Sequence, residues 1–449
     1  MTATERRTER RAIDVAEVPL TLDQPAPRSL RLVDQLGMWS NLGVSLLGFT
    51  GAYFVLYPFA NGHALSLGAA LLALVLGTVL GSAAVSLSAV PGTQTGAPAM
   101  VLLRGLFGIR LSWLPTGLNI IQLLGWTAFE LVTISTAMHQ VFDALPRWVY
   151  VVVGGVITTV LALRPLGFIR VLRRYVTIAV VAALTYLAIQ LLRNPLPDLG
   201  HGTFNGFWIA VDTVIGVSVS WVPVAADYTR HSQSVRDTVT GTFVGYSLTQ
   251  IACYAIGLIA LLTVAKSGTD HQMFGAFIAI PVGTLAFAVL ASRELDQSFV
   301  DTYSTAVSIQ NLRPRWDRRV VAVMIGILAT VLALALNVGD YENFLILIGG
   351  VFVPLLGVFA VDYFLINRRH WDLSESAPTR ALMLVPWLLG FAAYQLVNPG
   401  YIGWWADAWG HVRHWLHFTP SSWMSASILS FLVAAGVTMA LGRLAKRTT

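Results

Sequence analysis

The 449 residues are 55% hydrophobic and only 12% charged, with a mean hydropathy of +0.67, which excludes a soluble two-domain protein and places the chain in a bilayer. A formal charge of +6 and a pI near 9.6 do not point to nucleic acid, because the basic residues fall in short clusters between apolar runs and build no single patch. The one cysteine, Cys253, excludes a disulfide framework, thiolate metal cages and CxxC redox chemistry within the chain.

Residues 1–33 are polar and carry Arg6, Arg7, Arg10 and Arg11 without the short apolar stretch and cleavage site of a secretory signal, so they read as a cytoplasmic tail. Crossing about 30 Å of hydrocarbon takes roughly 20 apolar residues in a helix. Runs of this kind are predicted at 34–58, 65–90, 113–142, 148–163, 171–192, 205–227, 238–265, 277–311, 319–337, 341–366, 381–398 and 422–442, with a second short tail at 443–449. This gives an all-α integral membrane protein of about twelve spans, the fourth short and the eighth long. With the N-terminus inside, all but five of the 29 lysines and arginines fall on the inner side; Arg147, Arg193, Lys266 and Arg413 lie outside, and Arg293 lies within a span. The positive-inside rule then puts both termini in the cytoplasm and the chain in the plasma (inner) membrane. The outer loop 399–420 holds Trp404, Trp405, Trp409 and Trp415, which reads as an interfacial anchor.

Two spans are interrupted. The first carries Asn41, Gly43, Ser45, Gly48 and Gly51 near its middle, and the sixth carries Gly216, Ser218, Ser220, Trp221 and Pro223, where Pro removes a backbone donor. An odd number of crossings separates them, so a five-span unit repeated once enters the membrane the opposite way up. The organisation expected is therefore a first inverted repeat over 34–192, a second over 205–366, and two further spans over 381–442. Broken helices at equivalent positions of inverted halves are where freed amides and carbonyls bind substrate and ion.

Charged side chains at mid-membrane cost about 2.5–3.5 kcal/mol each on insertion scales. Span 3 nevertheless has Glu130, span 6 has Asp212, and span 8 has Arg293, Glu294, Asp296 and Asp301. Glu294, Gln297, Ser298 and Asp301 stand at i, i+3, i+4 and i+7 and form one polar stripe that must face protein or water. Asn119, Gln122, Trp126 and Glu130 share a face of span 3, with Trp126 and Glu130 one turn apart. An indole beside a carboxyl suits a flat heterocycle, stacked on the ring and hydrogen-bonded at its edge; the structural alternative is a packing Trp and a Glu paired with Arg293. A carboxyl in a poorly solvated cavity is disfavoured in its charged form, and a neutral acid both donates and accepts. That matches a flat heterocycle in which an exocyclic amine lies beside a ring nitrogen. Asp212, nearer the outer end, reads as a solvated vestibule residue.

From about Leu30 to Leu312 the sequence resembles the nucleobase/cation symporter family of purine-cytosine permeases and their hydantoin and hydroxymethylpyrimidine relatives. The resemblance rests on Gly96-Ala97-Pro98 leading to Arg104 and Phe107-Gly108, on Gly125-Trp126, on Asp227-Tyr228-Thr229-Arg230 and on Tyr303-Ser304. It implies a leucine-transporter-type fold with a 5+5 inverted repeat, Trp126 as the stacking aromatic, and Glu130 where relatives commonly place a substrate-contacting Gln. Two departures stand out: Ser218 falls where relatives often have an aromatic, with Trp221 one turn later, and Asp296, Gln297, Ser298 and Asp301 replace a Ser/Thr-Asn run. A carboxylate there can hold Na⁺ or carry a proton, so either ion could drive transport.

The expected function is secondary active import of a nucleobase or aminopyrimidine with a proton or sodium ion, by alternating access, in a monomer that needs no cofactor beyond the coupling ion. Ser45, Gln122, Trp126, Glu130, Ser218, Trp221 and Asp301 are expected to bind substrate, and Asp296, Gln297 and Asp301 to serve coupling; no metal ligand set is assigned. Ser45, Trp126, Ser218, Trp221 and Asp301 lie about halfway along their spans and are expected at one midplane cavity. An amino-acid/cation symporter of the same fold is the nearer rival, and would use the break of span 1 to hold a carboxylate. A membrane-embedded hydrolase using Asp296, Asp301 or Asp340 is the remote one.

Overall fold

A computed structural model of the chain describes residues 27–59, 63–142, 144–163, 166–264, 274–313 and 315–447; most of the expected N-terminal tail lies outside them. Long runs of Leu, Val and Ala leave backbone groups no polar partner in hydrocarbon except their own helix. The described residues accordingly form helices, with only two isolated β-bridges, Leu30 with Ser232 and Leu65 with Thr203. Span 1 is α1 (Leu32–Leu42) and α2 (Leu46–Leu56); span 2 is α3 (Leu67–Thr95), followed by the short α4 (Ala99–Phe107). Spans 3, 4 and 5 are α5 (Trp113–Val141), α6 (Arg147–Ala162) and α7 (Leu166–Leu191). Span 6 is α8 (Phe207–Val219) and α9 (Ala225–Thr229), and span 7 is α10 (Val235–Thr263). After α11 (Gly275–Ile278) come span 8, α12 (Gly283–Leu312), span 9, α13 (Arg318–Ala335), and span 10, α14 (Tyr341–Ala360), which continues as a π-helical turn over Val361–Ile366. The chain closes with α15 (Leu384–Val397), α16 (Gly403–Trp415) and α17 (Ala426–Arg447).

Each predicted span thus coincides with a helix or an interrupted pair. By length and composition, however, six helices can cross a membrane, or seven with the bent pair α1–α2, so the expected count of twelve is not reached by that measure. The shortfall has two physical causes. Arg147–Ala162, Phe207–Val219 and Ala381–Val397 are apolar but only 10–17 residues long, and α12 carries the charges of Arg293, Glu294, Asp296 and Asp301. The tryptophan-rich segment 399–420 has regular structure of its own. Most of it is the helix α16, with Trp404 73% and Trp415 78% exposed, while Trp405 donates its indole N–H to Gln395 Oε1 at 3.0 Å.

Small residues let the interrupted spans pack closely, as membrane helices require. A Cβ at Gly81 would fall 2.3 Å from Ser218 Cβ, and one at Gly92 2.6 Å from Ala226 Cβ and 2.8 Å from its Cα, so α3 lies directly against both halves of span 6. Span 1 meets α10 in the same way: a Cβ at Gly43 would fall 2.8 Å from the Tyr246 carbonyl oxygen. The residues that carry the family resemblance meet at the Arg-rich end of these spans. Ala99 N–H donates to Asp227 Oδ1 at 2.9 Å, Thr93 Oγ1 to the Thr229 carbonyl at 2.9 Å, Arg104 Nε to Asn311 Oδ1 at 3.0 Å, and Tyr228 and Ser304 share a hydrogen bond of 2.5 Å. Asp212 is no solvated vestibule residue: 4% exposed, it accepts from Ser425 Oγ at 2.5 Å and from the backbone N–H groups of Ala426 and Ser427 at 2.7 and 3.1 Å, at the start of α17.

This packing makes Gly92 a sensitive position. Gly92→Val pushes a branched side chain into the Ala226 backbone, and overpacking of this kind destabilises by about 1–3 kcal/mol; Gly436→Val in α17, where a Cβ meets nothing within 4 Å, is expected to leave stability nearly unchanged. Thermal unfolding of the two variants in detergent checks the difference.

Candidate functional site

The site begins with the break in span 1, where the chain bends by 59°. Ser45 has extended backbone angles (φ −152°, ψ 145°) and caps α2, its Oγ accepting from Leu47 N–H at 3.0 Å. The Leu46 N–H donates to Glu294 Oε1 at 2.7 Å, and Ser45 Oγ donates to Glu294 Oε2 at 3.1 Å. On the other side of the break the Asn41 carbonyl, in the last turn of α1, accepts from the Arg293 guanidinium. Consecutive residues of one helix point about 100° apart, so Arg293 and Glu294 reach opposite sides of a three-residue gap: the cation meets the carbonyl end of α1 and the carboxylate the amide end of α2, as the half-helix dipoles favour.

The break in span 6 covers Ser220–Val224 between α8 and α9. Pro223 has no N–H to continue the helix. The freed Ser220 carbonyl accepts from Gln122 Nε2 at 2.9 Å, and the same nitrogen reaches Asn119 Oδ1 at 3.0 Å. Gln122 therefore fixes the shape of the break from behind the wall.

Between the two breaks lies a narrow cavity lined from both of them. Ser45, Trp126, Glu130, Trp221, Gln297 and Asp301 all line it. Ser218 does not reach it. That side chain is fully buried between Gly81 and α10, where its Oγ donates to Gln250 Oε1 at 3.0 Å, and Val217 and Ser220 form the wall in its place. The side chain of Asp296 lies outside the described residues.

The cavity surface is unusually rich in buried polar atoms without a protein partner. They include Trp126 Nε1, Gln297 Oε1, and the hydroxyls of Tyr254 and Tyr341. Both carboxyl oxygens of Glu130 are buried without a hydrogen bond of ordinary geometry, although Asp301, Glu294 and Ser298 lie beside them. Because buried polar groups in folded proteins are normally paired, this set suits a polar ligand with both donors and acceptors. Trp126 is held edge-on by Tyr341 and Phe344, at centroid distances of 5.8 and 5.3 Å, and Trp221 by Trp39 at 6.3 Å. Each indole is thereby fixed in orientation before any ligand arrives. Among the described residues no three His, Cys, Asp or Glu side chains converge as a metal cage requires.

Glu294, Tyr254 and Tyr341 were not among the residues expected to build the site. For Glu294 a signal existed, since an Arg-Glu pair in mid-span must have local partners; for the tyrosines only the folded arrangement of spans 7 and 10 reveals them.

The profile of a family described as permease for cytosine/purines, uracil, thiamine, allantoin matches residues 55–381. The chain belongs to this permease family. It is a family of transporters and not of enzymes. The cytosine permease of Escherichia coli K12 is 24% identical over 373 residues, 81% of this chain and 82% of that protein. Among solved structures, a nucleobase-cation-symport-1 family transporter in a closed conformation with bromovinylhydantoin bound aligns with a TM-score of 0.74 at 16% identity, over 96% of this chain and 97% of the other. A Na⁺-coupled sialic acid symporter in its substrate-bound outward-open state aligns with a TM-score of 0.57 at 12% identity, over 92% and 96%. The permease thus has the helical fold of these symporters and is a multi-pass membrane protein.

Removing the carboxylate that closes the break tests the geometry. Glu294→Ala strands the Leu46 N–H and the Ser45 hydroxyl, and loss of hydrogen bonds to a charged group costs about 1.5–3 kcal/mol. Glu294→Gln, whose amide oxygen still accepts from Leu46, is expected to recover part of the lost unfolding temperature.

Proposed function

We propose that this permease imports an aminopyrimidine or aminopurine base together with a cation, proton or sodium, by alternating access between its two broken spans. The observation that carries the reading is the pairing, one turn apart on α5, of the Trp126 indole and a buried Glu130 carboxyl that makes no protein hydrogen bond of ordinary geometry, both facing the cavity. The base lies against Trp126, with Trp221 from span 6 as the second aromatic wall. A neutral Glu130 carboxyl supplies one donor and one acceptor to the ring nitrogen and exocyclic amine of the base, while Gln297 and Asp301 contact its other polar edge. Ser45 and Ser220 close the cavity at the two breaks, and Gln122 holds the second in shape. Spans 1–5 and 6–10 act as inverted halves of a monomer in the inner (plasma) membrane with both termini in the cytoplasm, where the lysine and arginine bias favours them.

Two rivals fit less well. An amino-acid symporter needs the amide end of a broken helix for the substrate carboxylate, and here Glu294 of the chain itself accepts from Leu46 N–H. A hydrolase that used Asp340 would need it for chemistry, yet it is exposed and its carboxylate accepts from Asn337 N–H at 3.0 Å, capping a helical turn; the matched family is one of permeases.

Competition against radiolabelled cytosine in proteoliposomes tests the assignment. Adenine and hydroxymethylpyrimidine are expected to compete and uracil to compete poorly. Glu130→Ala leaves the base amine unpaired at about 1–3 kcal/mol, a loss of roughly 5- to 150-fold in affinity, and Trp126→Ala loses a comparable amount through stacking, about 1–3 kcal/mol. Equal inhibition by uracil and cytosine, or unchanged affinity in Glu130→Ala, would sink the amino-base reading.

A further inference from the structure

The substrate reading makes no use of Arg293. This residue is completely buried in the middle of α12, in a segment where a charge needs a reason to exist. Its guanidinium donates to the Asn41 carbonyl at the end of α1. Its Nε and its other terminal nitrogen find no further protein acceptor, so the group is held at the break by that carbonyl and by opposite charge alone. The charge comes from Glu294, the next residue, and from Asp301 two turns along the same helix.

The carbonyl end of a half-helix in a carrier is the usual foothold of a sodium ion, because its last oxygens have no intrahelical donor and carry the negative end of the dipole. We propose that in this chain Arg293 is a built-in cation that takes the place of sodium at the break of span 1, so that the carrier binds no sodium there and transports without it. A sodium ion approaching the Asn41 carbonyl meets a guanidinium already on it, and the carboxylate that would balance the ion, Glu294, is committed to the Leu46 N–H and the Ser45 hydroxyl. A guanidinium remains charged at every physiological pH and cannot leave with the substrate, so it satisfies the carbonyl permanently where a sodium ion would do so only in part of a cycle. The inference deepens the import reading and rests on it for its meaning in coupling.

The test needs no base. Purified full-length protein is assayed for binding of radioactive sodium and for thermal unfolding in sodium chloride against choline chloride at matched ionic strength. Native protein is expected to show no saturable sodium binding and the same unfolding temperature in both salts; saturable binding, or stabilisation by sodium, overturns the proposal whatever happens with variants. Arg293→Ser removes the cation from the Asn41 carbonyl, which keeps its long bond from Val44 N–H at 3.3 Å, and is expected to acquire saturable sodium binding, and Arg293→Lys, which keeps a tethered cation, to remain indifferent; a folded Arg293→Ser that ignores sodium also overturns it. In proteoliposomes, cytosine uptake is expected to be equal in sodium and choline buffers, and a several-fold stimulation by sodium overturns the proposal while leaving the import reading intact. Absence of base uptake in both salts undoes the import reading alone, since the sodium-binding result stands without it.

Discussion

Everything about the centre of this protein depends on how it satisfies a helix cut in hydrocarbon. A break in mid-membrane frees carbonyls on one side and amides on the other, and no water is there to bond them. The chain answers with two adjacent residues of span 8, Arg293 toward Asn41 and Glu294 toward Ser45 and Leu46. The second break, in span 6, is treated more cheaply: Gln122 takes the Ser220 carbonyl, and Pro223 has no amide to satisfy. One break is closed by charge and the other by a neutral amide, although both border the same cavity.

With the breaks secured from spans 3 and 8, the cavity wall can afford unpaired polar atoms. Trp126, Glu130, Gln297, Tyr254 and Tyr341 present theirs inward on helices fixed by close packing elsewhere. Glycines 81 and 92 press α3 onto span 6, and Gly43 presses span 1 onto span 7. A rigid frame around an unsatisfied interior is what binding by pre-organisation requires, because the frame does not have to be ordered when the ligand arrives.

Much of this was readable from the sequence, for physical reasons that differ from residue to residue. Hydrocarbon permits few ways to place Gly, Ser and Pro in mid-span, so the two breaks and their meeting at Ser45, Trp221, Trp126 and Asp301 followed from composition and depth. Ser218 was misplaced because depth along a helix does not give azimuth: it lies at the right level and faces Gly81. Asp212 was misread because its partners, Ser425 to Ser427, are more than 200 residues away. The role of Glu294 escaped because the polar stripe named a face, and only the fold brings the amide end of α2 to that face. Crossing counts suffered from the same charges, since the residues that hold the centre together also make α12 look too polar to span a membrane.

The bond between Asp212 and the start of α17 bears on the two spans that follow the expected repeats. Asp212 sits in α8, the first half of span 6, and receives three hydrogen bonds from the first residues of the last long helix, while α17 packs in turn against α15 through Ser430 Oγ, which donates to the Gly390 carbonyl at 2.8 Å. A chain shortened after span 10 would therefore not be a smaller carrier with a spare pair of helices removed. It would carry a naked acid on the flank of α8, stripped of the three donors that now satisfy it. The terminal helices are ballast to the repeat scheme but a lid on that acid, and any shift of α8 has to take the C-terminal pair along or break those bonds.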